Sequence, residues 1–245
     1  MHTTSFDKFA AFYDRVMGES GDYTHKQTID PALFKAGGNL KGKVVYDIGC
    51  GNGSIPRKII RKGAKEVWAS DISPELIKIA KTKYPSYKIK YLVCEGSNVK
   101  GLPIEYFDLV TMNMSVHYIK DIIELFKNIR KILKKGGRVA FTTDHPLKYS
   151  AHLDEKRIKS LREFFTKSRD YLNDKKKFVY NNWTKKNDLV IYKRPLGKYI
   201  EALAINGFLI DAFIEPKTKQ LSSYFSGNKV KSEIPAYIAI GAKKV

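Results

Sequence analysis

The sequence predicts an α/β protein: a mostly parallel sheet with helices on both faces, carrying one small inserted cap. Three observations lead there. Short β-branched runs alternate with amphipathic helical stretches from residue 43 onward, the pattern of a parallel sheet whose crossovers are helices. A glycine-rich turn follows the first of those runs directly. The alternation breaks once, between residues 145 and 194, then resumes as helix, strand and strand toward the C-terminus.

Each element has its own signal. The strands are residues 43–48 (KVVYDI), 66–71 (EVWASD), 88–93 (KIKYLV), 107–112 (FDLVTM) and 138–143 (RVAFTT), all short apolar and β-branched runs suited to burial. One helix starts near Ser54, after the glycines. The next opens at Ser73-Pro74-Glu75, an N-cap followed by a first-turn proline, and continues through Leu76, Ile77, Ile79 and Ala80. A third runs from Asp121 through Ile122, Leu125, Phe126, Ile129, Ile132 and Leu133 to a stop at Gly136-Gly137, its apolar residues three and four apart. Inside the insertion, residues 154–171 read as a charged helix, and 177–183 and 188–194 as strands joined by a turn at 184–187. A last helix covers 195–206, closed by Gly207, and strands follow at 208–214 and 235–242. An insertion after the fifth strand sits beside the carboxyl ends of the strands, where open α/β sheets bind ligands.

Composition narrows the function classes. The 245 residues suffice for a single α/β domain with an insertion. No stretch approaches the roughly 18 consecutive apolar residues of a membrane span, and residues 1–12 lack a signal peptide's layout, so the expected location is cytoplasmic. Cys50 and Cys94 stand in apolar runs and read as core residues, with neither a disulfide framework nor zinc spacing. The formal net charge of +20 raises the question of an RNA partner. Lys outnumbers Arg roughly four to one and is spread over nearly every helix, whereas nucleic-acid readers concentrate Arg and aromatics in one patch.

The sharpest signal is VVYDIGCGNG, a buried strand ending in Asp47-x-Gly49-x-Gly51-x-Gly53 ahead of a helix. Glycines suit a tight turn whose bare backbone a ligand approaches. The helix N-terminus beyond offers N–H groups to an anionic ligand group, a carboxylate or a phosphate alike. Two details separate these. The dinucleotide fingerprint wants glycine where Ser54 stands, and it has no place for an acid at Asp47, which suits a ligand amine. An amine and a carboxylate together make an amino acid.

With those residues the segment resembles the first motif of class I S-adenosylmethionine (SAM)-dependent methyltransferases, and SAM carries a methionine. Further stretches extend the resemblance. Asp71, about twenty residues on, ends the second strand where a carboxylate accepts from ribose hydroxyls, with Ile72 beside it. Cys94-Glu95-Gly96-Ser97 resembles a degenerate copy of the family's adenine-contacting segment, which points to Glu95 and Gly96. Phe107-Asp108-Leu109-Val110 and Asn113-Met114-Ser115-Val116-His117 resemble the fourth strand and the loop flanking the methionine. The Phe6–Asp14 stretch resembles the family's opening helix, which folds over the cofactor; residues 1–40 are then lid helices, in which Tyr13, Tyr23 and His25 close the pocket. The resemblance implies a Rossmann-like doubly wound sheet of seven strands in the order 3-2-1-4-5-7-6, the last antiparallel. It also implies one domain over residues 1–245, S-adenosylhomocysteine as a product, and no metal.

Methyl transfer mainly requires holding the acceptor in line with the S–CH3 bond, and an ionising acceptor gains from a general base. His145, in Thr142-Thr143-Asp144-His145-Pro146, is the leading candidate. The segment resembles the Glu-His-Pro of a subgroup acting largely on small molecules; Asp144 would orient the ring or face the acceptor, and His117 is the second candidate. Trp183, Tyr192 and Arg194 of the cap would shape the acceptor pocket. The expected acceptor is a small molecule, with RNA and a non-catalytic nucleotide-binding module as alternatives.

Overall fold

The computed structural model describes residues 6–146, 171, 175–181, 186–217 and 235–245, with the side chains at 175–181 and 186–188 excepted. Its strands are β1 Val44–Ile48, β2 Glu66–Asp71, β3 Ile89–Val93, β4 Phe107–Asn113, β5 Leu133–Asp144, β6 Lys175–Asn181, β7 Lys186–Lys193, β8 Phe208–Ile214 and β9 Tyr237–Lys244. Its helices are α1 Ala10–Met17, α2 Asp30–Gly37, α3 Ser54–Arg61, α4 Pro74–Thr82, α5 Ile122–Ile132 and α6 Leu196–Ile205, with shorter turns at Asp7–Phe9, His25–Ile29 and Val116–Tyr118.

The sheet runs β3-β2-β1-β4-β5-β9-β8, and β6 and β7 pair separately as an antiparallel hairpin. Numbered by its own seven strands, the sheet has the order 3-2-1-4-5-7-6 that the resemblance implied, with β9 antiparallel to both neighbours.

Alternation along the strands sorts side chains onto two faces. Tyr46, Ile48, Val139, Phe141, Ile238 and Ile240 join Leu125, Phe126 and Ile129 of α5 and Leu203 of α6 in one core. The intervening Val45, Ala69, Leu109, Ala140 and Ala239 meet Leu33 of α2, Ile59 of α3 and Ile77 of α4 in the other. The sheet is therefore covered on both sides, as expected. Small residues let α2 press close: a Cβ on Gly241 would lie 2.4 Å from the Ala36 carbonyl oxygen.

Several boundaries differ from the sequence reading. Helix α5 ends at Ile132, because Leu133 turns extended (ψ 136°) and pairs with Phe107; the pairing then shifts, so that Leu109 faces Arg138. Strand β4 extends one residue further, to Asn113, and β7 begins at Lys186, inside the expected turn. Apart from Tyr171, the helix expected over 154–171 lies outside the described residues, as does Trp183.

Candidate functional site

Strand order reverses between β1 and its neighbours β2 and β4, and at this switch point open α/β sheets bind ligands. The glycine loop leaves β1 there. Gly49, Gly51 and Gly53 have φ of +75°, +56° and +82°, a region that costs a side-chain-bearing residue free energy. The sequence attributed these glycines to a ligand, and the structure adds crowding by the protein itself. A Cβ on Gly49 would lie 2.4 Å from Ser115 Cβ, and one on Gly53 would lie 2.4 Å from the Tyr91 hydroxyl. Ser115 is held there by donating from its Oγ to the Ile48 carbonyl at 2.7 Å. The loop is also tied to β2, since the Gly49 and Cys50 N–H groups donate to the Ser70 carbonyl at 2.8 and 2.9 Å. Helix α3 starts immediately after, its N-terminus capped by no side chain, so its first N–H groups face the loop with the positive end of the helix dipole.

Carboxyl groups gather around this loop. Asp47 is 1% exposed and accepts from Thr111 Oγ1 at 2.5 Å. Burial, with smaller contributions from Asp71 and Asp30, pushes its carboxyl up to about 8. Asp71 accepts from the Gly51 N–H at 2.8 Å and the Ser73 N–H at 2.9 Å, and burial raises it too. A loop lined by carboxyl groups whose charged forms are disfavoured has a place for cationic ligand groups. The ammonium and sulfonium of SAM are such groups, and its carboxylate suits the start of α3. Asp47 would hold the ammonium. Asp71, with lone pairs beyond its two backbone bonds, would take the ribose hydroxyls.

The segment that the sequence expected to face adenine lies next to it. The Cys94 N–H donates to the Asp71 carbonyl at 3.1 Å, bringing the exit of β3 against the end of β2. Gly96 packs so closely that a Cβ would lie 2.9 Å from both Ile48 and Ile119. Glu95 is exposed, and Ile72 is 46% exposed, an apolar surface beside Asp71 of the kind a base covers.

The N-terminal segment lies across the loop and is pinned at several points. Asp7 Oδ1 accepts from Ser73 Oγ at 2.5 Å, at the start of α4. Asp14 accepts from Asn52 Nδ2 at 2.7 Å and Lys83 Nζ at 2.5 Å. Burial pushes Asp14 up, but those two donors more than offset it and hold it below the usual range. The Tyr13 hydroxyl comes within 3.0 Å of where a Gly51 Cβ would be, and burial beside Asp71 keeps that phenol protonated. Asp30 accepts from Lys58 and from Asn113 Nδ2, the latter at 2.9 Å, so Asn113 serves to join this segment to β4. His25 bonds Asp22 through Nδ1 at 2.9 Å. Tyr23, expected to close the pocket with Tyr13, is 51% exposed.

The candidate catalytic residues sit along the carboxyl ends of β4 and β5. His117 is 4% exposed, its Nδ1 3.0 Å from Thr143 Oγ1. Asp144, half-buried, acts on Tyr118, whose phenol is raised by burial first and by this carboxylate second. His145 is 3% exposed, with Nε2 3.0 Å from Glu215 Oε1; burial lowers its affinity for a proton and Glu215 partly restores it. Arg194, expected in the acceptor pocket, clamps the loop after β4 by donating from Nη2 to the carbonyls of Ile119 and Lys120, both at 2.6 Å.

The sequence reading missed Thr111, Asn52, Asp14 and Glu215. Asn52 is visible inside the glycine motif. Thr111 and Glu215 carry no local signal, because strand pairing alone brings them to Asp47 and His145. Among the described residues, no group of three or more His, Cys, Asp or Glu is placed to hold a metal, and no helix is long and apolar enough to cross a membrane.

Residues 46–141 match the family model described as a methyltransferase domain. The chain is 29% identical over 147 residues to a ubiquinone biosynthesis O-methyltransferase of Xanthomonas oryzae pv. oryzae, covering 58% of this chain and 61% of the relative. Among solved structures it resembles an S-adenosylmethionine-dependent methyltransferase from Mesorhizobium loti (TM-score 0.65, 22% identity, 87% of this chain and 96% of the other). It also resembles a Haloferax volcanii chain solved in complex with the Trm112 methyltransferase activator (TM-score 0.72, 16% identity, 99% of both chains).

Proposed function

We propose that the chain acts as a class I SAM-dependent methyltransferase, that its acceptor is a small molecule with an ionisable O–H or N–H, and that His145 takes the acceptor's proton. The observation that carries the small-molecule reading is the hairpin β6–β7, inserted after β5 and held by Arg194 to the Ile119 and Lys120 carbonyls at the carboxyl edge of the sheet. An element held there restricts access to the place where an acceptor must lie. The likeness to a ubiquinone biosynthesis O-methyltransferase over 147 residues supports the same class.

When bound, SAM supplies an electrophilic methyl group on a sulfonium. The chain's own part is positioning. Asp47 holds the ammonium, the start of α3 the carboxylate and Asp71 the ribose, while the N-terminal segment covers the loop and excludes water. His145 is buried and holds a proton less readily than usual, so it is neutral near pH 7 and able to accept one.

The test is transfer of tritiated methyl from SAM into a cell extract, separated into a low-molecular-weight filtrate and a ribonuclease-sensitive fraction. Label in the filtrate is expected. The net charge of +20 favours a second reading, an RNA acceptor, and label released only by ribonuclease would replace the first reading with it. His145→Ala is expected to lower turnover by about 10²–10⁴-fold, the usual worth of a general base, with SAM affinity unchanged.

A further inference from the structure

We propose that Glu215 is a positioning residue for His145, an assignment that rests on the reading of His145 as the base. The geometry comes from the sheet. β5 and β8 both end at its carboxyl edge, and β9 lies between them and runs the opposite way. The start of β9 therefore arrives at the same edge, where the His145 N–H donates to the Ala236 carbonyl at 2.9 Å. The His145 ring reaches Glu215, just past the end of β8, with Nε2 3.0 Å from Oε1. A histidine 70 residues away in sequence is thus fixed by its backbone to one neighbouring strand and by its ring to the next.

The two partners differ in surroundings. The side chain of His145 is 4% exposed and that of Glu215 48% exposed. A carboxylate accepts from the ring nitrogen that carries the proton. Accepting at Nε2 fixes the tautomer with N–H on that nitrogen and the basic lone pair on Nδ1. Deprotonation of the acceptor then breaks its O–H or N–H bond and forms Nδ1–H. The resulting imidazolium is balanced by Glu215, and the acceptor's electron pair goes to the methyl carbon as the S–CH3 bond breaks. Other titratable groups at this edge are Asp144, which precedes the ring on β5, and Tyr237, which faces Asp144 from β9; the charge of Glu215 acts on the ring directly.

The test uses the full-length protein with Glu215→Gln, a change of charge at nearly constant size. Two readouts are taken. One is the His145 ring titration by NMR; the other is the pH dependence of methyl transfer from tritiated SAM into the low-molecular-weight extract. With the carboxylate gone, it no longer offsets the lowering by burial, so the ring is expected to titrate at lower pH. The acidic limb of the rate profile should move down with it, while the plateau falls by about tenfold, part of the usual worth of a general base. A mere folding defect would lower the plateau without moving the limb. An unchanged ring titration together with an unmoved limb would overturn the proposal. If the titration moves but His145→Ala turns over normally, the base reading falls and Glu215 keeps only a structural contact.

Discussion

Asp47 is a carboxyl group that water does not reach, and its chemistry follows from that. Its folded value of about 8 lies above the ordinary 3.8, so the folded protein holds a proton that the unfolded chain gives up. Its contribution to stability is present below about pH 4 and is lost as pH rises toward 8. An ammonium ligand reverses this by favouring the ionised form. SAM binding near pH 7 is therefore expected to release a proton, read as a dependence of the calorimetric heat on the buffer's ionisation enthalpy. Asp47→Asn should abolish that dependence; an unchanged one would take the ammonium away from Asp47. Asp71→Asn is expected to weaken SAM by about 1.5–3 kcal/mol, the worth of hydrogen bonds to a charged group. Unaltered affinity by calorimetry would move the ribose contact elsewhere. At this scale Asp47, Asp71 and the three glycines were legible, because each stands at a fixed offset from the end of a strand. Their partners Thr111 and Ser115 were not, since β4 reaches β1 across more than sixty residues of chain.

Polar contacts pin the N-terminal segment over the glycine loop. Asp14 links α1 to Asn52 of the glycine loop and to Lys83 after α4. Asp14→Ala is expected to speed SAM dissociation in stopped flow while the sheet's melting changes little; an unaltered off-rate would mean that α1 does not gate the loop. Ser73 has two tasks, capping α4 by accepting from Leu76 N–H at 3.2 Å and donating to Asp7. Ser73→Ala should cost about 1 kcal/mol of stability in chemical denaturation, typical of a lost N-cap. These elements were legible in the sequence as elements, α4 from its capping residue, the N-terminal helix from the family resemblance and the hairpin from its paired strands. Their anchoring was not. Arg194, read as a pocket residue, is spent on two backbone carbonyls 74 and 75 residues away.

For the whole molecule, the surplus of +20 charges is the property that bears most directly on the acceptor. If the acceptor is small, RNA binding should be weak and sequence-independent and should collapse with salt, as non-specific phosphate contacts do. Tight binding that persists at physiological salt would favour the RNA reading. The architecture itself was written in the chain. Alternating strand and helix periods, the glycine turn and the acids at strand ends are all local, so they determined the fold class, the glycine loop and the order in which the candidate site's parts appear. What the tertiary structure alone decided is which distant groups meet. Strand order set Thr111 against Asp47 and Ser115 against Gly49, and the reversed direction of β9 brought Glu215 to His145 at one edge. Periodicity reports the environment of a residue a few positions either way, whereas these pairings depend on sheet order and burial, which exist only after the chain has closed on itself.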